Sequence, residues 1–163
     1  MTGRLLKREF YLRPTIEVAR ALLGCRLELD GRGGRILETE AYLPAGDEAA
    51  HSYRGLTPRT RVIFGAPGYA YVCLNFGIHH CLNVVAEPEG VPGCVLIRSV
   101  EDAGDGPGKL TRALGITLEH YGCDLTLGPL VIRAGRPPLR IAVTPRIGIR
   151  KSAELPLRFL AVD

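Results

Sequence analysis

Apolar positions recur along the chain with two different periods. Over "PTIEVARALLG" (14–24), Ile16, Ala19 and Leu22/Leu23 return at helical spacing. Pro14 suits an opening turn and Gly24 a stop, so the segment predicts a helix. The period then drops to two. "CRLELDGRGGRILETEAYL" alternates Cys25, Leu27 and Leu29, turns at Asp30-Gly31 and the following glycines, and returns as a second strand. "LPAGDEAAHSYRG" reads as a turn, with Asp47 as N-cap of a short helix carrying His51. "TPRTRVIFGAPG" repeats the signal, with Thr57 as cap and Pro58 at the first helical position.

The clearest hairpin is "YAYVCLNFGIHHCLNVVAE", two aromatic and β-branched runs around a tip near Phe76-Gly77. "GCVLIRSVED" is a further strand with Arg98 near its far end, and "GDGPGKLTRALGIT" a loop feeding a short helix. Strand-like runs follow around 125–133, 139–143 and 157–162. No repeat, low-complexity tract or linker divides the chain, so 1–163 is expected to be a single catalytic domain. Hairpins outnumber βαβ patterns. The expected fold is mixed α/β (α+β): a curved, mostly antiparallel sheet with short helices and a protruding β-hairpin.

Composition narrows the function classes. With 163 residues, 46% hydrophobic and 23% charged, the chain can bury a core and is not intrinsically disordered. Its apolar runs are too short for a membrane helix, and "MTGRLLKREF" lacks the apolar centre of a signal peptide. The expected location is the cytoplasm, in association with the chromosome. A balance of 21 Lys+Arg against 17 Asp+Glu is mildly basic, which fits a nucleic-acid partner without selecting one. The five cysteines are scattered without a CxxC pair, so free thiols are expected. "HHC" (79–81) is the only local cluster of metal-binding residue types and falls short of a ligand set, so no metal is expected.

The unusual feature is a pair of glutamates inside an otherwise apolar strand, in "RILETEAYL". Strand alternation places Ile36, Glu38, Glu40 and Tyr42 on one face and Leu37, Thr39 and Ala41 on the other. A carboxylate beside an aromatic ring can activate water while the ring stacks on a flat substrate. An edge strand with its polar face in water, its glutamates bonded to arginines, gives the same pattern. Carboxylates two residues apart also lie at a separation where sugar hydrolases can work, about 6.5–7 Å. Such enzymes generally line their grooves with several aromatics, and this chain has 6% aromatic residues and no Trp. A zinc nucleobase deaminase requires H-x-E and P-C-x-x-C, and neither is present. A non-catalytic DNA-damage binding module fits the basic balance and aromatic hairpin, although a buried carboxylate would repel phosphate. The residues alone do not choose between Glu38 and Glu40.

Taken in order, "ILETEAY", "DEAAHSYRG-LTPR", "FGAPGYAYV", "CLNVV", "CVLIRS", "GPGKLTRALGI" and "RIGIRKSAELPLRF" resemble the alkyladenine (3-methyladenine, methylpurine) DNA glycosylase family. The blocks span nearly the whole chain, from about Leu5 onward. The resemblance implies a metal-free, cofactor-free, monofunctional base-excision repair enzyme. It would act as a monomer on double-stranded DNA and hydrolyse the N-glycosidic bond of 3-methyladenine, 7-methylguanine, hypoxanthine or ethenoadenine, leaving an abasic site. It assigns the water-activating base to Glu40, with Arg98 and the Ile147 carbonyl as further ligands of that water. Glu38 is left a supporting role, paired with an arginine. Tyr42 matches the ring that stacks on the flipped base, His51 the residue on its other side, and Asn83 the pocket asparagine that screens purines. Phe76 stands where the family carries an aromatic wedge, in place of the more usual Tyr. Cys73 departs from the pattern: relatives commonly carry a second stacking tyrosine there, for which Tyr71 partly compensates. The expected phosphate contacts are Arg54, Arg59, Arg61 and Lys109, and His79 is a weaker candidate for touching the minor groove.

Overall fold

The computed structural model describes residues 3–163. Eight strands run β1 (Arg26–Leu29), β2 (Arg32–Tyr42), β3 (Ala70–Asn75), β4 (His79–Ala86), β5 (Gly93–Val100), β6 (Leu130–Arg133), β7 (Arg140–Thr144) and β8 (Arg158–Val162). All their pairings are antiparallel and form one curled sheet in the order β3-β4-β5-β2-β1-β6, with β8 joining β2 to β7. The α-helices are short: α1 (Arg8–Tyr11), α2 (Thr15–Leu22) and α3 (Pro107–Leu114), with 3-10 turns at His51–Arg54, Arg61–Phe64 and Leu118–His120. The expected mixed fold with a curved antiparallel sheet is therefore observed. No helix among the described residues is long and apolar enough to cross a membrane.

Side-chain alternation sorts the strands onto two faces. Ala70 and Val72, Leu82 and Val84, Val95 and Ile97, and Ala41 share one core with α2. Tyr71, Cys73, Cys81, Val85, Cys94 and Leu96 point to the other face, where they pack with Ile63 and Tyr42. That second face carries Glu40, Tyr42, Tyr71, Cys73 and Asn83, residues expected to form the site. Its Cα register runs straight across four strands, Tyr71 opposite Asn83, Asn83 opposite Leu96, and Leu96 opposite Glu40. Neighbouring strands lie about 4.8 Å apart, so this row is about 14 Å from end to end, wide enough to carry a flat bicyclic ring.

Four local expectations are corrected. Ile36 does not share a face with Glu38 and Glu40; it is fully buried in the first core. Register shifts on either side of Glu38 are the cause, since an extra residue in one strand reverses the parity of every later position. Asp47 is not a helix N-cap. It accepts from the Leu43 and Ala49 backbone N–H groups at 2.9 and 3.1 Å, holding a turn, and the 3-10 turn at His51 starts later, after Ala50. Residues 125–129 form turns rather than strand, so β6 begins at Leu130. Thr57 and Thr60 instead bond each other's hydroxyl and backbone N–H, which closes the TPRT turn ahead of Arg61–Phe64.

The β3–β4 hairpin is built as the alternation predicts. Its tip is tight, with Ile78 N–H bonding to the Asn75 carbonyl at 3.2 Å. Phe76 and Gly77 both take left-handed backbone, at φ 54° and 71°. Glycine does so freely, but a bulky aromatic pays about 1–2 kcal/mol for it. The Phe76 ring recovers little of that by burial, because the residue is 84% exposed.

Candidate active site

A cleft of 380 Å³ opens on the second face of the sheet. Glu40, Tyr42, His51, Tyr71, Cys73, Phe76, Asn83, Arg98 and Ile147 all line it. The structure thus brings together every residue expected to bind the base or the water, plus the hairpin-tip aromatic. Arg54, Arg59, Arg61 and Lys109 lie outside the cleft lining and are exposed to solvent. Among the described residues the Lys109 ammonium is engaged only by Asp105, at 3.2 Å on the surface.

The two glutamates have different surroundings. Glu38 is paired with two guanidinium groups, those of Arg98 at 3.0 Å and of Arg158. Glu40 is fully buried at the base of the cleft. Its Oε1 accepts from the Tyr42 hydroxyl at 3.1 Å and its Oε2 from the Ile147 backbone N–H at 2.8 Å. The nearest cation, Arg98 Nη1, is 3.8 Å from Oε1, while Arg98 Nε is committed to Glu38. Burial raises the Glu40 carboxyl above the ordinary carboxylate range; the Ile147 N–H, Arg98 and Tyr42 pull in the opposite direction without cancelling it. Each carboxylate oxygen has a second lone pair, so Glu40 can still accept from a water. Burial, together with the same carboxylate, pushes the Tyr42 phenol far up, so Tyr42 remains a donor.

Tyr42 is held from behind. The Arg146 guanidinium lies over its ring, 4.7 Å from the centroid. Arg146 and Asp47 form a bidentate pair at 2.7 and 2.8 Å with neither side chain exposed, and Arg146 also donates to the Ala41 and Ser152 carbonyls. Arg146 immediately precedes Ile147 in the chain. The clamp therefore ties the loop that supplies the Ile147 N–H to both the Tyr42 strand and the 43–50 turn. On the opposite wall, His51 Nδ1 is 2.8 Å from the Tyr71 hydroxyl, and the two rings meet edge to face. Asn83 donates its amide to the Tyr71 carbonyl at 3.2 Å, which fixes the orientation of its oxygen.

Several cleft residues were not anticipated: Cys81, Cys94 and Leu96 in the floor, and the Asp47–Arg146 clamp beneath Tyr42. Alternation from Asn83 and from Arg98 would have placed the first three on the correct face. The clamp joins positions 99 residues apart and leaves no local signal. Among the described residues, no three His, Cys, Asp or Glu side chains converge in a way that could hold a metal ion.

The family model for methylpurine-DNA glycosylase (MPG) matches residues 9–105 and 101–163. A protein of Bradyrhizobium diazoefficiens named "Putative 3-methyladenine DNA glycosylase" is 44% identical, the match covering 96% of this chain and 87% of that protein. Proteins with the same name from Methanoculleus marisnigri and Ehrlichia ruminantium are 47% and 42% identical, over 92% and 98% of this chain and 91% and 90% of their own length. A family match over nearly the full length, with relatives of this similarity, shows that the chain belongs to the methylpurine-DNA glycosylase family.

Proposed function

We propose that this protein is a base-excision repair DNA glycosylase that rotates damaged purines out of duplex DNA and hydrolyses their N-glycosidic bond with a water activated by Glu40. Membership of the family supports the coarser statement, a DNA glycosylase acting in repair of DNA damage. The observation that carries the finer one is a fully buried carboxylate, with Arg98 no nearer than 3.8 Å, at the base of a purine-sized cleft beside an exposed aromatic tip.

A base inside a duplex exposes no reachable glycosidic bond, so the nucleotide must leave the stack at a cost of a few kcal/mol. Phe76, rigid, apolar and projecting from the β3–β4 tip, is the plug that fills the gap. The extruded purine enters between Tyr42 on one side and His51 with Tyr71 on the other, with Asn83 reading its edge. Arg54, Arg59, Arg61 and Lys109 are candidates to hold flanking phosphates, which makes binding fall steeply with added salt.

Anionic Glu40 takes a proton from water as the oxygen closes on the sugar C1′. The electron pair of the broken C–N bond moves onto the purine, and the carboxylate stabilises positive charge developing on the sugar. Alkylated purines carry a positive charge and leave readily, which suits 3-methyladenine and 7-methylguanine. Neutral hypoxanthine and ethenoadenine need a proton from the site.

Glu40→Gln tests the assignment. Glutamine can keep an acceptor for the Ile147 N–H and present its amide to the Tyr42 hydroxyl, so the cleft survives while the base is lost. Single-turnover release of 3-methyladenine or hypoxanthine from duplex oligonucleotides should fall by about 10²–10⁴-fold with lesion binding retained. Near-normal release by the variant would overturn the role of Glu40. Binding without release by the wild-type chain would mark a passive damage-binding module instead.

A further inference from the structure

Three of the five cysteines, Cys73, Cys81 and Cys94, line the cleft, and the mechanism above uses none of their thiols. Two of them are geometrically special. Cys73 on β3 and Cys81 on β4 are direct partners in the antiparallel register, on the same face of the sheet. Directly opposed side chains have Cβ atoms about 4.5–5.5 Å apart. Both residues are buried against protein, yet both border the open cleft, so their sulfurs are reached from the same space as the substrate.

The remaining cysteines are placed differently. Cys94 is not in register with either thiol; its own partners are Tyr42 and Val85, and its Sγ lies 4.0 Å from the Asn83 side-chain oxygen. Cys25 packs in the other core and bonds the Ala21 carbonyl. Cys123 is only partly buried and lies near the Gly128 carbonyl.

We propose that Cys73 and Cys81 form a dithiol site in the cleft floor that captures soft thiophiles requiring two sulfur donors, of which a trivalent arsenical is the type. Sites for borderline metals such as zinc need more donors than this pair offers, and no third His, Cys, Asp or Glu among the described residues converges with it. A centre satisfied by two thiolates has no such requirement. The two thiols are not equivalent. The Cys81 thiol first, then His51 and Arg59, pull the Cys73 thiol down, while sharing with Cys73 holds the proton on Cys81. With phenylarsine oxide the step is a condensation without a redox change. The arsenic–oxygen bond is lost, two arsenic–sulfur bonds form, and both thiol protons leave with the oxygen as water. The phenyl ring then occupies the aromatic-walled space beside Tyr71 and Tyr42.

The test is intact-mass measurement of the full chain treated with phenylarsine oxide in the presence of a monothiol such as glutathione, which competes away single-cysteine adducts. One adduct per chain is expected, removed by 2,3-dimercaptopropanol. It should be lost in Cys73→Ser and in Cys81→Ser, and kept in Cys94→Ser and Cys123→Ser. Thermal unfolding confirms that each variant is folded, with Cys81→Ala as the alternative where serine is not tolerated. No adduct in the wild-type chain, or an adduct that survives in both Cys73→Ser and Cys81→Ser, overturns the proposal. The effect on activity rests on the cleft being the lesion pocket: base release should fall in proportion to the adduct fraction and return with the dithiol. An adduct that leaves base release unchanged keeps the dithiol site and overturns the placement of the lesion in this cleft, so the two failures are distinguishable.

Discussion

Asp47→Asn tests whether the loop that supplies the Ile147 N–H to Glu40 is held by a buried charge pair. In the structure the Asp47 carboxylate accepts four hydrogen bonds, two from Arg146 at 2.7 and 2.8 Å and two from the backbone N–H groups of Leu43 and Ala49. Asparagine keeps one acceptor oxygen and turns the other position into a donor, which then faces a guanidinium or an N–H. Arg146, with no exposed side-chain surface, is left as a buried cation with no carboxylate. Removing one partner of such a pair costs about 3–5 kcal/mol, a large share of the roughly 5–15 kcal/mol that holds a domain folded. At about 2–4 °C per kcal/mol for a chain of this size, Tm should drop by about 6–20 °C. Urea denaturation and calorimetry give the two numbers independently. The pairing makes a further demand: Arg146→Met and Asp47→Asn together should cost clearly less than the sum of the singles, because the double variant buries no unpaired charge. An Asp47→Asn chain within about 1 kcal/mol of wild type, or an additive double variant, would show that the pair contributes specificity without stability.

Other outcomes rest on the same geometry. If Glu40 is the proposed base it must be anionic to take a proton, and because its folded-state carboxyl is raised, single-turnover release should climb with pH through an acid limb above the ordinary carboxylate range. The corresponding stability term has the opposite slope: it is complete below the unfolded carboxyl's pKa and is lost as pH rises through the folded one. Tyr42→Phe keeps the ring but removes a donor that favours the anion, so the limb should move to higher pH; an unmoved limb would separate Tyr42 from Glu40 ionisation. Phe76→Asn exchanges an exposed aromatic in left-handed backbone for a residue that tolerates it, so stability should hold or rise by up to about 1 kcal/mol. Excision from duplex should nonetheless fall by about 5–150-fold, the loss of one stacking contact of about 1–3 kcal/mol, and equal rates on duplex would refute the wedge. Cys73→Tyr should speed hypoxanthine release more than 3-methyladenine release, since a neutral base gains most from a second stacking ring; unchanged hypoxanthine rates would count against this reading of the cleft.

How much of this was legible in the chain depends on the distance over which each feature is encoded. Period-two alternation and turn glycines are local, and they sufficed for the β1–β2 and β3–β4 hairpins and for placing Phe76 at a tip. Glu40 and Tyr42 were put on one face correctly because alternation is unbroken from Thr39 onward. Ile36 was not, because a bulge costs a strand one residue of parity without leaving a mark in residue type. Asp47 was legible as a turn residue, but its partner lies 99 positions away, and no local pattern distinguishes an aspartate that caps a helix from one that anchors a buried arginine. The Cys73–Cys81 opposition needed the hairpin register, which exists only once the tip is fixed to within one residue.

The two glutamates show what periodicity cannot supply. As residues they are equivalent, and a shared face does not rank them. The charge each receives in three dimensions separates them. Glu38 draws in Arg98 and Arg158, one from β5 and one from β8, the strands that flank β2. Arg98 is thereby turned so that its guanidinium reaches Glu38 first and Glu40 only at 3.8 Å. The Glu38 carboxylate is committed to two guanidiniums, whereas Glu40 is buried with a phenol, a backbone N–H and Arg98 at 3.8 Å, and burial holds its carboxyl above the ordinary range. Glu38 in this arrangement is a device for holding Arg98 back. Glu38→Gln should therefore free Arg98 to close on Glu40, lower the Glu40 carboxyl and shift the acid limb of base release downward, whereas a purely structural Glu38 would change stability and leave the limb where it was.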